Sequence, residues 1–354
     1  MEKLPLETQT LYAEMMEQLI ALEAQRSIGH ASGCFTIKVI KGASYYYFQY
    51  SDPGGVLRQV YIGKKSTELD RLVERYDAER EAFMVDAAHI HRLCAQLRAG
   101  GALITDTASA RVLKSLAESG VFHLDGVLLG TQAFTVFGNL LGVHWESSAI
   151  KTHDLDIAGE PRMSIALPSI RADIPKALER LEMGFIPVPP LNPKNPSTSF
   201  KVRGHPLRVD LLTPEISPGE NTPIFISRFN VAAQPLPFLD YLIDNPVKAA
   251  AVNGGGILVN VPQPARFALH KLIVSQERDL TAHDKTEKDI MQAAQVISFL
   301  SDERPGDLLL AWDEIKRRGD GWVKRAMGGL SVINARYQTV YHKAVELLKL
   351  KVVP

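Results

Sequence analysis

The sequence predicts an α+β fold: a mixed-sheet core with an N-terminal region of helix and β-meander and a C-terminal helical domain. Three observations carry this. Residues 34–64 hold alternating β-branched and aromatic runs broken by turn residues, the texture of an antiparallel meander. From residue 124, short apolar strand runs alternate with helical periods, as when strands and helices share one core. After about residue 262 the periodicity is helical almost throughout. The expected divisions are therefore 1–119, 120–262 and 263–354.

Residues 8–26 place Leu11, Met15, Leu19 and Leu22 at helical spacing. The meander is punctuated by Lys41-Gly42 and by Asp52-Pro53-Gly54-Gly55, both turn chemistries. Its aromatic stretch YYYFQY reads as a strand with half its rings buried; stacking on bases is the other use for such a run. Residues 66–99 read as a long helix, opening on a Ser66/Thr67 cap and closing on Gly100-Gly101. That helix packs on the core or serves oligomerisation. Residues 105–119 suggest another helix.

In the second division, LDGVLLG is a buried strand and TQAFTVFGNLLG a helix ending at Gly142. DLDIA is a strand, RADIPKALERLEMG a helix and PVPPLNPKNPSTS a loop. FKVRG and LRVDLLTP are strands joined at Gly204-His205-Pro206. NGGGILVNV lacks the G-x-G-x-x-G phrase and a following helix, so Gly254-Gly255-Gly256 reads as a hairpin turn. The last division carries helices near 263–278, 285–300, 306–318 and 330–350.

Lys and Arg number 40 against 40 Asp and Glu, so the molecule as a whole is no obvious polyanion binder, which leaves room for a local basic groove. Cys34 and Cys94 are the only cysteines, which argues against a disulfide framework and for a reducing cytoplasm. The N-terminus has no signal pattern and no apolar run reaches a membrane span, so a cytoplasmic protein is expected. His89, His91 and Cys94 lie close in sequence, but His89 does not share the helix face of the other two, so packed or surface roles are preferred to zinc.

The chemistry lies in the strand carboxylates. Asp154 and Asp156 stand two apart in a strand and so share one face, with Leu155 and Ile157 on the other. In LRVDLL, Arg208 and Asp210 share a face in the same way. Acids on apolar strands need partners, and a divalent cation with oxygen ligands, Mg²⁺ or Mn²⁺, would supply one. Solvated strand ends or ion pairs are the plainer alternative. Upstream, a strand runs through Gly130-Thr131 straight into a helix, whose first N–H groups favour phosphate.

Strand–Gly-Thr–helix, then Asp-x-Asp, then a later strand Asp resembles the nucleotidyltransferase superfamily, with the DNA polymerase β-like fold. The wider wording GVLLGTQAFTVFGNLLGV, THDLDIA and RVDLLTP resembles its bacterial stand-alone, toxin-like branch. The motif-bearing likeness covers about residues 120–215; Thr131 replaces the commoner Ser or Gly but keeps a hydroxyl.

The resemblance implies a magnesium-dependent transferase that moves a nucleoside monophosphate from an NTP such as ATP to a hydroxyl and releases pyrophosphate. The acceptor would be an RNA or tRNA 3′ end, a protein or a small molecule. Asp154 and Asp156 would hold the metal on the triphosphate, and Asp210 would complete the metal site and help deprotonate the acceptor. Gly130 and Thr131 would contact the phosphates. Arg208 would balance their charge, as would Lys201 and Arg203 on the preceding strand. Lys271, Ser275 and Arg278 form a polar helical stripe, and Lys271 with Asp289 is similar to a Lys–Arg–Asp pattern of the toxin-like branch; Lys288 adjoins it. Residues 120–262 would then be the catalytic core, and 1–119 an accessory region for the acceptor. The alternative is a catalytically silent module acting in nucleic-acid binding or regulation, but no carboxylate of the pattern is missing.

Overall fold

A computed structural model of the chain describes residues 1–25, 30–31, 33–51, 56–146, 154–161, 172–219, 221–278 and 283–350. The chain opens with β1 (Glu2–Lys3) and α1 (Leu6–Ala24), which starts two residues before the apolar period because Pro5 sets its N-terminus. β2 (Cys34–Ile40), β3 (Ala43–Ser51) and β4 (Leu57–Lys64) form the expected meander. Lys41 and Gly42 both take positive φ, 49° and 78°, as a tight hairpin requires. The turn at 52–55 lies outside the described residues.

α2 (Thr67–Ala99) is capped by Ser66, whose Oγ accepts from the Leu69 N–H at 3.3 Å. Its 33 residues span about 50 Å. The first half carries the meander: Tyr76 meets Phe35 and Phe48 edge-on at 5.1 and 5.5 Å. The Tyr46 hydroxyl donates to Asp70 at 2.6 Å. The second half buries Ile90, Leu93, Cys94 and Leu97 in a small core with Tyr12 and Met15 of α1. There the Cys94 sulfur touches Met15 Sδ at 3.4 Å, and burial pushes its thiol up to about 11. His89 pairs with Glu14, while His91 stands at Gly255, so the three candidate ligands point to different neighbours.

α3 (Thr107–Glu118) is capped by Asp106. β5 (Val127–Leu128) is shorter than the apolar run, because residues 121–125 form turns closed by Gly126 N–H on Val121 O. α4 (Gly130–Leu141) ends on Gly142 in the left-handed region, φ 69°. β6 (Val143–His144) pairs with β1. β7 (Asp154–Ala158) follows, then α5 (Ile174–Glu179). α5 is shorter than the helix expected over 171–184: its end tightens into turns, with Leu181 N–H on Leu178 O and Glu182 N–H on Glu179 O, and positive φ at Glu182 and Gly184 prevents it from resuming. β8 (Phe185–Pro187), β9 (Ser199–Val202) and β10 (Arg208–Pro214) come next.

Four further elements had no counterpart in the sequence reading: β11 (Ile224–Ile226), β12 (Val231–Leu236), α6 (Leu239–Ile243) and β13 (Val247–Ala251). β14 (Ile257–Val261) closes a hairpin with β13, turned by Gly254 and Gly256 at φ 59° and 68°. α7 (Pro264–Ser275), α8 (His283–Glu303), α9 (Pro305–Arg317), α10 (Asp320–Arg336) and α11 (Gln338–Leu347) complete the chain. The single helix expected over 330–350 is thus two, broken at Tyr337 (φ −133°, ψ 57°), whose ring packs against the core.

The central seven-stranded sheet runs β11-β12-β10-β7-β5, with β9 and β8 added beside the first half of β10. β7, β10 and β12 are parallel, the others antiparallel to their neighbours. One apolar core continues from Leu103 through the sheet to Leu348, so sheet and C-terminal helices share an interior. The Tyr12 hydroxyl both accepts from the Ala250 N–H, at 2.9 Å, and donates to the Ala250 carbonyl, at 3.1 Å, tying α1 to the open edge of β13. Among the described residues no helix is long and apolar enough to cross a membrane.

Candidate active site

The strand register builds the floor of a cleft. β7 and β10 pair so that Asp154 lies beside Arg208 and Asp156 beside Asp210. Leu155, Ile157, Val209 and Leu211 alternate with them into the core and are at most 1 % exposed. The acids therefore share the opposite face. β9 brings Ser199 opposite Asp210. The Ser199 hydroxyl donates to Asp210 Oδ1, and Arg208 Nε donates to the same oxygen at 2.7 Å. Arg208 Nη2 also donates to Ser199 Oγ at 2.9 Å.

The β5–α4 turn closes over Asp156. The Leu129 N–H donates to the Asp156 carbonyl at 2.8 Å, and Gly130 follows at φ 63°. A Cβ on Gly130 would stand 2.1 Å from Asp156 Oδ2. Glycine is needed here twice, for the backbone conformation and for the carboxylate that occupies the space. Thr131 is buried, and its hydroxyl accepts from Gln292 Nε2 at 3.3 Å, linking α4 to α8. The first N–H groups of α4 have no helical partners and lie at the cleft wall beside Asp156. Burial, then the charge of Asp210 and more weakly Asp154, push the Asp156 carboxyl up to about 6, against the pull of Lys271.

α7 and α8 form the facing wall. Asp289, 3 % exposed, receives Lys271 Nζ on Oδ1, and Arg278 Nε and Nη2 on Oδ2 at 2.8 and 2.6 Å. Burial alone would raise the Asp289 carboxyl; the two cations override it and hold it below the ordinary carboxylate range. Burial and the neighbouring Lys271 lower the Lys288 ammonium. His270 is buried beside them, and burial with Lys271 takes it down to about 3, so its ring is neutral.

These groups line one cleft of about 610 Å³, which draws on residues 129–289. Gly130, Thr131, Asp154, Asp156, Arg208, Asp210, Lys271, Arg278, Lys288 and Asp289 are all there. Lys201 and Arg203 do not line it. β9 ends at Val202, so strand alternation does not reach Arg203, which is exposed in the following turn with its N–H on Gly184 O. The stripe Lys271–Ser275–Arg278 is not one helical face either: α7 ends at Ser275, whose hydroxyl turns back to Leu272 O. Arg278 reaches Asp289 from beyond the helix.

Ser199, His270 and Lys285 also line the cleft, beyond the residues to which the sequence points. Lys285 was findable, lying one helical turn before Lys288 and so on the same face. Ser199 was not, because the register of β9 on β10 places it.

Among the described residues no three His, Cys, Asp or Glu side chains stand close enough to hold a metal ion as they are placed. Asp210 is drawn instead to Arg208 and Ser199. The donor set nevertheless fits a hard divalent cation in its chemistry: three carboxylates on two adjacent strands, with repulsion that raises Asp156 and that a cation would relieve.

A nucleotidyltransferase family model matches residues 107–317, from the first residue of α3 to the last of α9, and so takes in every residue of the cleft. No curated protein and no solved structure matches the chain.

Proposed function

This chain belongs to the nucleotidyltransferase family, and on that premise we propose that it transfers a nucleoside monophosphate from an NTP to a hydroxyl acceptor. The observation that carries the reading is the convergence of Asp154, Asp156 and Asp210 with Gly130-Thr131 and the Lys271–Arg278–Asp289 cluster in one cleft. Its volume is in the range of small-ligand sites. The acids lie on the sheet floor and four of the five lining cations, Lys271, Arg278, Lys285 and Lys288, on the helical wall. A metal–triphosphate presents the matching polarity, with the cation toward the floor and the phosphates toward the wall.

Asp154, Asp156 and Asp210 are the residues that would hold Mg²⁺ or Mn²⁺, which when bound would neutralise the triphosphate and acidify the attacking hydroxyl. The first N–H groups of α4 hold phosphate oxygens, with Gly130 letting the backbone approach. Lys271 and Arg278, fixed by Asp289, face the same oxygens as point charges and fork. The acceptor oxygen attacks the α-phosphorus, its proton passes to Asp210 or solvent, and the bond to the bridging oxygen breaks. Pyrophosphate leaves with that electron pair, and the helical cations balance its charge.

The test is incubation with each α-labelled NTP and Mg²⁺, with total RNA or protein as acceptor. Label is expected on one acceptor class and absent with Asp154→Ala or Asp156→Ala. If no NTP binds with Mg²⁺, and both variants behave as the parent chain, the reading fails.

A further inference from the structure

The N-terminal meander lies outside the matched residues 107–317 and contributes nothing to the cleft. Its strand register sorts its rings onto two faces. Phe35, Tyr46 and Phe48 turn inward, where they meet one another and Tyr76 of α2. Tyr45, Tyr47 and Tyr61 turn outward. Tyr61 meets Tyr47 at 5.5 Å and Tyr45 at 6.1 Å, and Lys38 Nζ stands 4.8 Å over the Tyr47 ring. This outer face is open: Tyr61 is 55 % exposed, and Lys38, Gln59 and Lys64 are exposed.

Tyr61 is exposed and Tyr45 and Tyr47 are half-buried beside it, a row of phenol faces on the side of the sheet turned away from α2 that inward packing does not account for. Charge gives the second observation. The whole chain is neutral, yet residues 30–66 carry Lys38, Lys41, Arg58, Lys64 and Lys65 against the single acid Asp52; Lys38 and Lys64 stand on the outer face, both in register with Tyr45, while Arg58 lies on the other face opposite Tyr50 and Lys65 pairs with Asp70. Basic charge interleaved with exposed aromatic faces is the chemistry that binds unpaired bases and their phosphates. The face also carries Thr36, Gln49 and Gln59 in register with these rings; Gln59 accepts from Lys38 and donates to Thr36 at 3.1 Å, a polar network of the kind that meets sugar hydroxyls.

We propose that the outer face of this meander binds single-stranded RNA, with bases stacked on Tyr45, Tyr47 and Tyr61 and phosphates met by Lys38 and Lys64. That this RNA is the hydroxyl acceptor rests on the reaction proposed above; the binding does not.

Fluorescence anisotropy on the full chain, with a labelled unpaired RNA of about 15 nucleotides, tests this. Tyr47→Ala with Tyr61→Ala is expected to weaken binding roughly tenfold or more, while Tyr47→Phe with Tyr61→Phe keeps it. Lys38→Glu with Lys64→Glu should weaken binding and flatten its salt dependence, and it decides the matter if the alanine variant fails to fold. Absence of saturable binding, equal affinity for duplex RNA or for single-stranded DNA, or alanine and charge variants that bind like the parent would overturn the proposal. So would loss of a protein partner in those variants with RNA binding intact. Mg²⁺–NTP binding, followed separately, should not change in the meander variants. RNA binding should likewise survive Asp156→Ala, so the two readings fail independently.

Discussion

Gly130 has no room for a side chain, since Asp156 Oδ2 occupies the place of its Cβ. Gly130→Ala is therefore expected to abolish NTP-dependent labelling and to lower stability by at least about 1–2 kcal/mol, the cost of a left-handed alanine, because Asp156 must also move. Activity and urea denaturation measured on the same sample separate the two effects. Asp156 also sets a pH dependence. Its folded carboxyl titrates at about 6, above the usual value of about 3.9, because burial and two neighbouring acids disfavour the anion. A raised carboxyl favours the folded state fully below pH ~3.9, and this contribution is lost as pH rises through 6. Without divalent cation, Asp156→Asn should accordingly be more stable than the parent at pH 7, the difference shrinking toward pH 4. Thermal melts across that range check this, and a constant difference would contradict it.

Helices and strands carry these groups at different levels of legibility. Asp154, Asp156 and Asp210 could be read because strand alternation is local, and Gly130-Thr131 because the strand-to-helix turn has its own residue chemistry. Ser199 and the parallel pairing of β7 with β10 could not, because register between distant strands is set by the whole sheet. β12 and β13 escaped because VAAQPL and VKAAA are poor in strong β-formers and are strands by tertiary pairing, and β11 because its β-forming run, Ile224–Ile226, is only three residues long. The break at Tyr337 has no Gly or Pro to announce it. Between α7 and α8, Asp289 is the joint, buried under two cations from the preceding segment. Asp289→Asn should cost about 3–5 kcal/mol, as when one partner is removed from a buried ion pair. It should also raise the KM for NTP by releasing Lys271 and Arg278. Urea unfolding and steady-state kinetics are the measurements, and unchanged KM with lost stability would make Asp289 purely structural.

Across the whole molecule, one interior from Leu103 to Leu348 means that the sheet and the C-terminal helices should unfold together. A ligand held between them stabilises both. Mg²⁺–NTP at about 100 times its Kd should add about 2.7 kcal/mol, seen as a single-step rise in Tm that Asp154→Ala abolishes. The tie between Tyr12 and Ala250 has a practical consequence for anyone who cuts the molecule. A chain trimmed to residues 107–350 would keep α10 and α11 in the shared interior but lose α1, and with it the hydroxyl that satisfies both backbone groups of Ala250. The alanine-rich edge of β13 would then be left as an unguarded pairing site, ready to recruit another strand. Such a fragment is expected to clump rather than report on the enzyme, so the region before α3 is a built-in protector of solubility as well as the bearer of the meander.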